Sequence, residues 1–403
     1  MINSLALLLA GLLVNFSLFA DEPVWHYTLI NDTAIQLNNS DVQKFRNVLL
    51  PELDWDLNDS LRLRAEARLL WDPEFEDWKK ESEFRELALD WEGDETSIRA
   101  GLQQVVWGQA SGFLSSFDVF HPQDRREWVL PAFEFMRRPL WMAQLQQPVG
   151  EWTLEALWSP EEKVNRSAEV GTSYYLSAPP LPTGFSIINA EDDRDRQRFG
   201  LRLSTSYDSW DLAFIYLSVP QNKAVFSYEI LSESQLKRTA RYKRYNVTGL
   251  SFSRAMNTAV LRGELSYYLD REIQTRGVPG VGQSDQSNFV LGIDMTVLTD
   301  LDMTFEVGRY HLVDYKGSFI EPENTTRVLF QIRKPFQYET LVPRLAIVSD
   351  LEQGNMLIRP ALQWNVTDQF SMTAGLDIIN GDGKPFSQFG ETDRFYLSLE
   401  YRQ

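Results

Sequence analysis

No cysteine occurs among the 403 residues. That absence removes disulfide frameworks, thiol catalysis, zinc–thiolate sites and a lipidated N-terminal cysteine together. Histidine is nearly as scarce: His26, His121 and His311 are the only three, too few for a multi-histidine metal centre. Positive charge is short as well. Lys and Arg number 39 against 57 Asp and Glu, a formal net charge of −18, so the chain lacks the basic face with which a nucleic-acid binder neutralises phosphates. Beyond the N-terminus no apolar run approaches the roughly 18 residues of a membrane-spanning helix. There is also no G-x-S-x-G elbow, phosphate loop or dinucleotide fingerprint, and no cofactor is implied. What the chain has is aromatic residues, 13% of the total with 12 Trp and 15 Tyr, beside only 24% charged residues. For this length that favours one large closed β structure over several soluble domains.

Residues 1–20 carry no charged side chain, and Leu5 to Phe19 is almost continuously apolar before Asp21-Glu22-Pro23. The pattern predicts an export signal cleaved after Ala20, leaving 21–403 as a single domain. The apolar stretch is too short for a spanning helix.

From Leu61 the chain alternates with period two. Leu61, Leu63, Ala65, Ala67, Leu69 and Trp71 share one face of a strand; Arg62, Arg64, Glu66 and Arg68 share the other. The same alternation recurs at Phe199–Leu203, Ala259–Leu269, Phe289–Val297 and Phe370–Ile378, which is the β signal. Short turns, near 58–60, 93–96, 148–150, 208–209, 255–257, 299–300 and 366–368, alternate with longer segments at 72–83, 107–138, 159–197, 220–240, 271–286, 312–324 and 380–392. Such asymmetry belongs to a bacterial outer-membrane barrel, with turns in the periplasm and loops outside. Counting from Phe45 gives 17 strands, and one more within Trp25–Leu37 makes 18 and brings both ends to the periplasm. An even number is expected, so the sequence predicts an all-β transmembrane antiparallel barrel of about 18 strands, with 16 as the alternative. Trp71, Trp91, Trp141, Trp152, Trp158, Trp210 and Trp364 fall near strand ends, where aromatic girdles meet the membrane interface. Outer-membrane lipid, lipopolysaccharide and the barrel-assembly machinery are then the expected partners of the chain in a Gram-negative bacterium.

If the apolar faces meet lipid, the polar faces line the lumen. Arg62, Arg64, Glu66, Arg68, Arg99, Gln103, Arg202, Arg262 and Glu264 are the expected pore-lining residues. Two readings of them stay open: a cationic strip that guides an anionic solute, or cross-strand pairs that brace a wide barrel.

The segment 107–138 differs from the acidic chain around it. Asp118, Asp124, Glu127 and Glu134 balance Arg125, Arg126, Arg137 and Arg138, and Phe113, Phe117, Phe120, Trp128, Phe133 and Phe135 would be costly to leave as an exposed patch. The expectation is a constriction or hatch folded into the barrel, carried by Trp107, Gly108, Asp118, His121, Asp124, Arg125, Arg126, Arg137 and Arg138. Gly108 and Gly112 would let the chain turn inward, and the arginines would pair with wall carboxylates such as Glu86, Asp90 or Glu264. An external loop packed on its neighbours is the alternative.

Gly101-x-Gln103, Val106-Trp107-Gly108, Asp118, His121-Pro122-x-Asp124-Arg125 and Arg138-Pro139-Leu140-Trp141 resemble the signature block of an uncharacterised family of proteobacterial outer-membrane barrels, of the domain-of-unknown-function type, distantly similar to alginate-export porins. The resemblance is sharp over residues 98–160. It implies an outer-membrane barrel with an inner loop and supplies no substrate. The chain departs from the pattern in its shorter length and in His121, where Asn is expected before the proline.

His121 with Asp118, Asp124, Ser115 or Ser116 could be read as a Ser-His-acid set, but such a set is defined by geometry, and a histidine before proline in a charged loop reads better as a brace. The expectation is therefore a non-enzymatic channel or porin-like transporter for a polar solute or oligosaccharide, anionic ones included. A transporter of hydrophobic molecules or lipids, with the Phe-rich loop as its apolar site, and a structural or binding barrel with a closed lumen are the alternatives.

Overall fold

The computed structural model describes residues 22–74, 79–176, 185–191, 197–383 and 386–403, without the side chains of Phe133, Glu134 and Glu191. The export signal expected at 1–20 lies outside them. Eighteen strands form one sheet. In chain order they are β1 (Val24–Gln36), β2 (Val42–Asn58), β3 (Leu61–Trp71), β4 (Lys80–Glu92), β5 (Ser97–Gln103) and β6 (Leu140–Val149). Then come β7 (Trp152–Ser159), β8 (Arg198–Tyr207), β9 (Trp210–Pro220), β10 (Arg244–Met256), β11 (Ala259–Gln274) and β12 (Val281–Val297). The last six are β13 (Leu301–Leu312), β14 (Asn324–Arg333), β15 (Leu341–Asp350), β16 (Asn355–Asn365), β17 (Phe370–Asn380) and β18 (Arg394–Arg402).

Each strand pairs antiparallel with the next, and β1 closes on β18 from Thr28↔Arg402 to Gln36↔Arg394. Closure removes the exposed edge that an open sheet would present. β1 begins and β18 ends on the rim where most connections are tight. Asp208 and Ser209 form a two-residue turn there, both with positive φ (46° and 66°), as a hairpin matching the strand twist requires.

The period-two pattern decides which face meets lipid. Leu265 is 44% exposed while Glu264 beside it is fully buried. Leu69, Leu201 and Phe289 point outward in the same way. Trp71, Trp91, Trp141, Trp158 and Trp364 stand exposed at strand ends on both rims, as an interfacial girdle does.

Four connections differ from the sequence reading. Segment 271–286 is mostly strand, because β11 runs to Gln274 and β12 starts at Val281. Segment 220–240 holds a hairpin, Val225–Ser232 with Gln235–Arg241, and Ser186–Glu191 adds to it in parallel as a small three-stranded sheet. Two connections on the loop rim, 37–41 and 351–354, are short.

One wall breaks the alternation. Leu212-Ala-Phe-Ile-Tyr-Leu217 of β9 is apolar on both faces. Phe214 and Tyr216 point outward and are exposed; Ala213, Ile215, Leu217 and Val219 point inward and are buried. Something apolar must cover them from inside.

Candidate functional site

That cover is the segment between β5 and β6. Trp107, Phe117 and Phe120 pack on Leu140, Met142, Leu157, Ala213, Ile215, Leu217, Val219, Tyr245, Val247 and Tyr268. Leu114 and Phe113 meet Val290, Leu329 and Val348. Trp128 and Leu130 meet Leu357, Ile379 and Phe389, and Phe135 meets Ile30, Val48, Leu50 and Leu70. The loop therefore lies inside the barrel and rests on strands from all sides of it. Fully burying one such aromatic ring is worth ~1.5–3 kcal/mol, which explains why the rings are not left at the surface.

Polar anchors hold the loop at two opposite walls. On β11, the Glu264 carboxylate accepts hydrogen bonds from the Ala110 N–H (2.9 Å), the Ser116 N–H (2.6 Å) and the hydroxyls of Ser115 and Ser116. Glu306 on β13 accepts from the Ser111 N–H and hydroxyl. The Tyr268 and Tyr310 hydroxyls donate to the carbonyls of Ser116 and Leu114. Gly108 is required by this approach: a Cβ there would stand 2.0 Å from Ser115 Oγ and 2.8 Å from Glu264 Oε1. Its role is thus close packing against the wall, where the sequence suggested a turn.

Across the lumen, Glu127 is enclosed by Lys44 and Arg46 of β2 and Arg394 of β18. Lys44 Nζ and Arg394 Nη1 lie 3.2 Å from Oε2, and Arg46 bonds Oε1. Burial pushes this carboxyl upward, but Arg46, Lys44 and Arg394 outweigh it and hold it well below the usual range. Arg394 also pairs with Asp377 at 2.8 Å, which Arg359 shares at 2.7 Å, and Arg359 donates to the Leu130 carbonyl.

His121 closes the loop's neck. Its Nε2 accepts from the Val105 N–H at 2.9 Å, so Nδ1 carries the proton toward the Arg138 carbonyl at 3.2 Å. Burial lowers its pKa to about 3, and the ring is neutral. Asp118 is pushed up by burial against the pull of Arg137, which bonds it at 3.0 Å. The Ser115 and Ser116 hydroxyls point to Glu264 and both His121 nitrogens meet backbone, so these residues do not assemble as a Ser-His-acid set.

The loop arginines do not take the wall partners the sequence suggested. Arg126 bonds Asp124 and Glu81, Arg125 bonds Gln123, Arg137 bonds Asp118, and Arg138 donates to the Val164 carbonyl. Glu86 and Asp90 are occupied by Arg99, and Asp90 also by Arg64. Four further inward arginines are paired likewise: Arg62 with Asp56, Arg68 with Glu83, Arg202 with Glu155, Arg262 with Asp294 and Glu306. A continuous free cationic strip on β3–β5 is not what forms; cross-strand pairing takes those charges. Gln103 and Glu264 face inward but line no open passage. Gln103 is buried and donates to the Met142 carbonyl, and Glu264 is covered by the loop.

Below the loop, a cavity of about 1000 Å³ extends to the rim where β1 begins and β18 ends. Glu66 and Arg68 line it, as do Arg344 and Arg359, which strand alternation also places inward, together with residues not singled out from sequence: Lys44, Arg46, Glu52, Arg85, Arg394 and Arg402. Arg344 on β15 bonds only the Gln363 side chain, and no carboxylate pairs with it among the described residues. Inward parity alone would have flagged Lys44 and Arg394; their convergence on Glu127 had no local signal.

The fold and this site define a class: a closed 18-stranded antiparallel barrel, crossed inside by one long loop and similar in fold to outer-membrane porins. Similar solved structures are OccK8 (OprE) of Pseudomonas aeruginosa and OccAB2 of Acinetobacter baumannii. Each has a TM-score of 0.57 at 10% identity, over 96% of this chain and 99% and 98% of theirs. OpdK of Pseudomonas aeruginosa, solved with vanillate, is similar at a TM-score of 0.56 and 9% identity, over 96% of this chain and 99% of that one. No curated protein matches the sequence. The chain belongs to the family described as "Protein of unknown function (DUF1302)", whose model matches residues 84–402.

Proposed function

We propose that the protein is an outer-membrane channel of a Gram-negative bacterium, exported by its N-terminal signal, that passes a polar and preferentially anionic solute under control of the 104–139 loop. The carrying observation is the charged cavity between that loop and the terminal rim. Among its lining side chains, Lys44, Arg46, Arg68, Arg85, Arg344, Arg359, Arg394 and Arg402 outnumber Asp32, Glu52, Glu66, Asp124 and Glu400, and a water-filled lumen of one dominant sign concentrates the opposite ion. An oligosaccharide belongs to this proposal as one polar solute class. Lipid, lipopolysaccharide and the assembly machinery enter it as the partners of any such barrel. The hydrophobic-transport reading loses its site, because the loop's rings are packed on the wall.

A barrel with a closed lumen is the second reading, favoured by the loop's contact with strands all round the wall. Planar-bilayer recording in a KCl gradient separates the two. Stepwise conductance with a reversal potential on the chloride side is expected; a silent bilayer with correctly assembled protein would favour the closed barrel.

A further inference from the structure

We infer that Lys44, Arg46 and Arg394 form the carboxylate-binding site of this barrel, and that Glu127 occupies it as an internal competitor which a carboxylate-bearing solute displaces. The inference rests on the channel reading for its use, not for its geometry.

The three cations belong to wall strands β2 and β18, whereas Glu127 belongs to the loop. They therefore stay in place when the loop moves. The same three side chains also line the 1000 Å³ cavity, so a solute entering from the terminal rim meets them beside the Glu127 carboxylate. Three cations share the one Glu127 carboxylate. Among the described residues, their other carboxylate neighbours are Asp32 (3.8 Å from Lys44), Asp72 (3.7 Å from Arg46) and Asp377, which Arg359 shares. Cations that lose a buried carboxylate are costly to keep buried, and a solute carboxylate replaces Glu127 with the same oxygen geometry.

The loop is also poised to leave at this point. Trp128, next in the chain, has φ of +55°, a left-handed conformation that costs a non-glycine residue energy and persists only while its surroundings hold it. Exchange of the solute for Glu127 removes one of those restraints and loosens the loop from the β2–β18 side, while Glu264 and Glu306 keep its other end on β11 and β13.

Calorimetric titration of the full-length protein in detergent micelles, with benzoate as probe and benzamide as neutral control, tests the site. Glu127→Gln, which keeps the shape and removes the competing charge, should bind benzoate at least tenfold more tightly than the parent, and adding Arg394→Gln should abolish the gain. Equal benzoate affinity in parent and Glu127→Gln overturns the inference. Should Glu127→Gln fail to assemble, hydrogen exchange of the unaltered protein serves instead: benzoate should speed exchange in residues 122–136 several-fold over benzamide, and equal rates overturn it. Conductance recorded in parallel keeps the two proposals apart. A conducting parent with no benzoate response leaves the channel and removes the cage as its site; benzoate binding without conductance does the reverse.

Discussion

Glu264 and Arg46 stand on strands nine apart in a ring of eighteen, β11 and β2, and a single loop is bonded to both. No shorter route joins them, so the loop spans the full width of the lumen. The barrel's inner surface is therefore two surfaces: an apolar and carboxylate-bearing wall on β6–β14 that the loop covers, and a charged wall on β15–β18 and β1–β4 that the loop covers only in part and whose remainder lines the cavity.

Glu264→Ala tests the covered wall. It removes the acceptor for two backbone N–H groups and two hydroxyls, and each buried donor left unsatisfied costs ~1–3 kcal/mol. The loop should detach at Ala110–Ser116, seen as faster hydrogen exchange there and raised single-channel conductance. Gly108→Val, which forces a side chain into the same contact, should act in the same direction. Unchanged exchange in both would mean the aromatic packing alone holds the loop.

Leu265 tests the register. Its side chain is exposed on the outer face of β11, and an arginine on the lipid face near the midplane costs ~2–4 kcal/mol, falling towards the interfaces. Leu265→Arg should reduce assembly and lower the temperature at which the heat-modifiable band shifts in gels. Normal assembly would place this residue away from lipid.

Arg64 and Arg99 test whether paired arginines still set selectivity. Both are partly exposed and share Asp90, while Glu86 pairs with Arg99. Replacing both with Gln leaves these acids without their cations, so the reversal potential should move towards cations. Stability should fall by only ~1 kcal/mol or less, because pairs that reach water contribute little. An unmoved reversal potential would show that the current bypasses this wall.

His121 gives the loop a pH dependence of defined sign. With the loop in place its pKa is about 3, against an ordinary 6.5. Above 6.5 the ring is neutral whether the loop is docked or released, and its bonds to Val105 and Arg138 are intact. Between 6.5 and 3 only the released loop binds the proton, so docking weakens as pH falls, by ~1.4 kcal/mol per unit. Protection factors in the 104–139 segment, which remove the intrinsic pH dependence of amide exchange, should fall from pH 6 to pH 4 in the parent, and His121→Asn should flatten that dependence. A slope that persists in His121→Asn would assign it to other groups.

Much of the barrel could be read locally. Period-two alternation places Leu265 and Glu264 on opposite faces because consecutive side chains of a strand must point apart, and turn residues such as Asp208-Ser209 mark where the chain reverses. The strand total followed from counting those reversals and requiring both ends on one rim. The length, balanced charge and aromatic content of 107–138 pointed inward, since such a surface is costly in water. The unbroken apolar run of β9 was a further signal that two faces are covered; it is the clearest clue that was there to find.

The sequence by itself thus determined the barrel, its inside and outside, and the exceptional loop, because each depends on the periodicity or composition of a contiguous stretch. Tertiary structure alone decided which charges meet. Ser116 reaches Glu264 across 148 residues and Glu127 reaches Arg394 across 267, and such partners are set by how far the closed sheet carries one strand round to face another. A pairing energy depends on separations of a few ångströms, and no local pattern encodes those. Only closure of the ring brought Lys44, Arg46 and Arg394 round a single carboxylate.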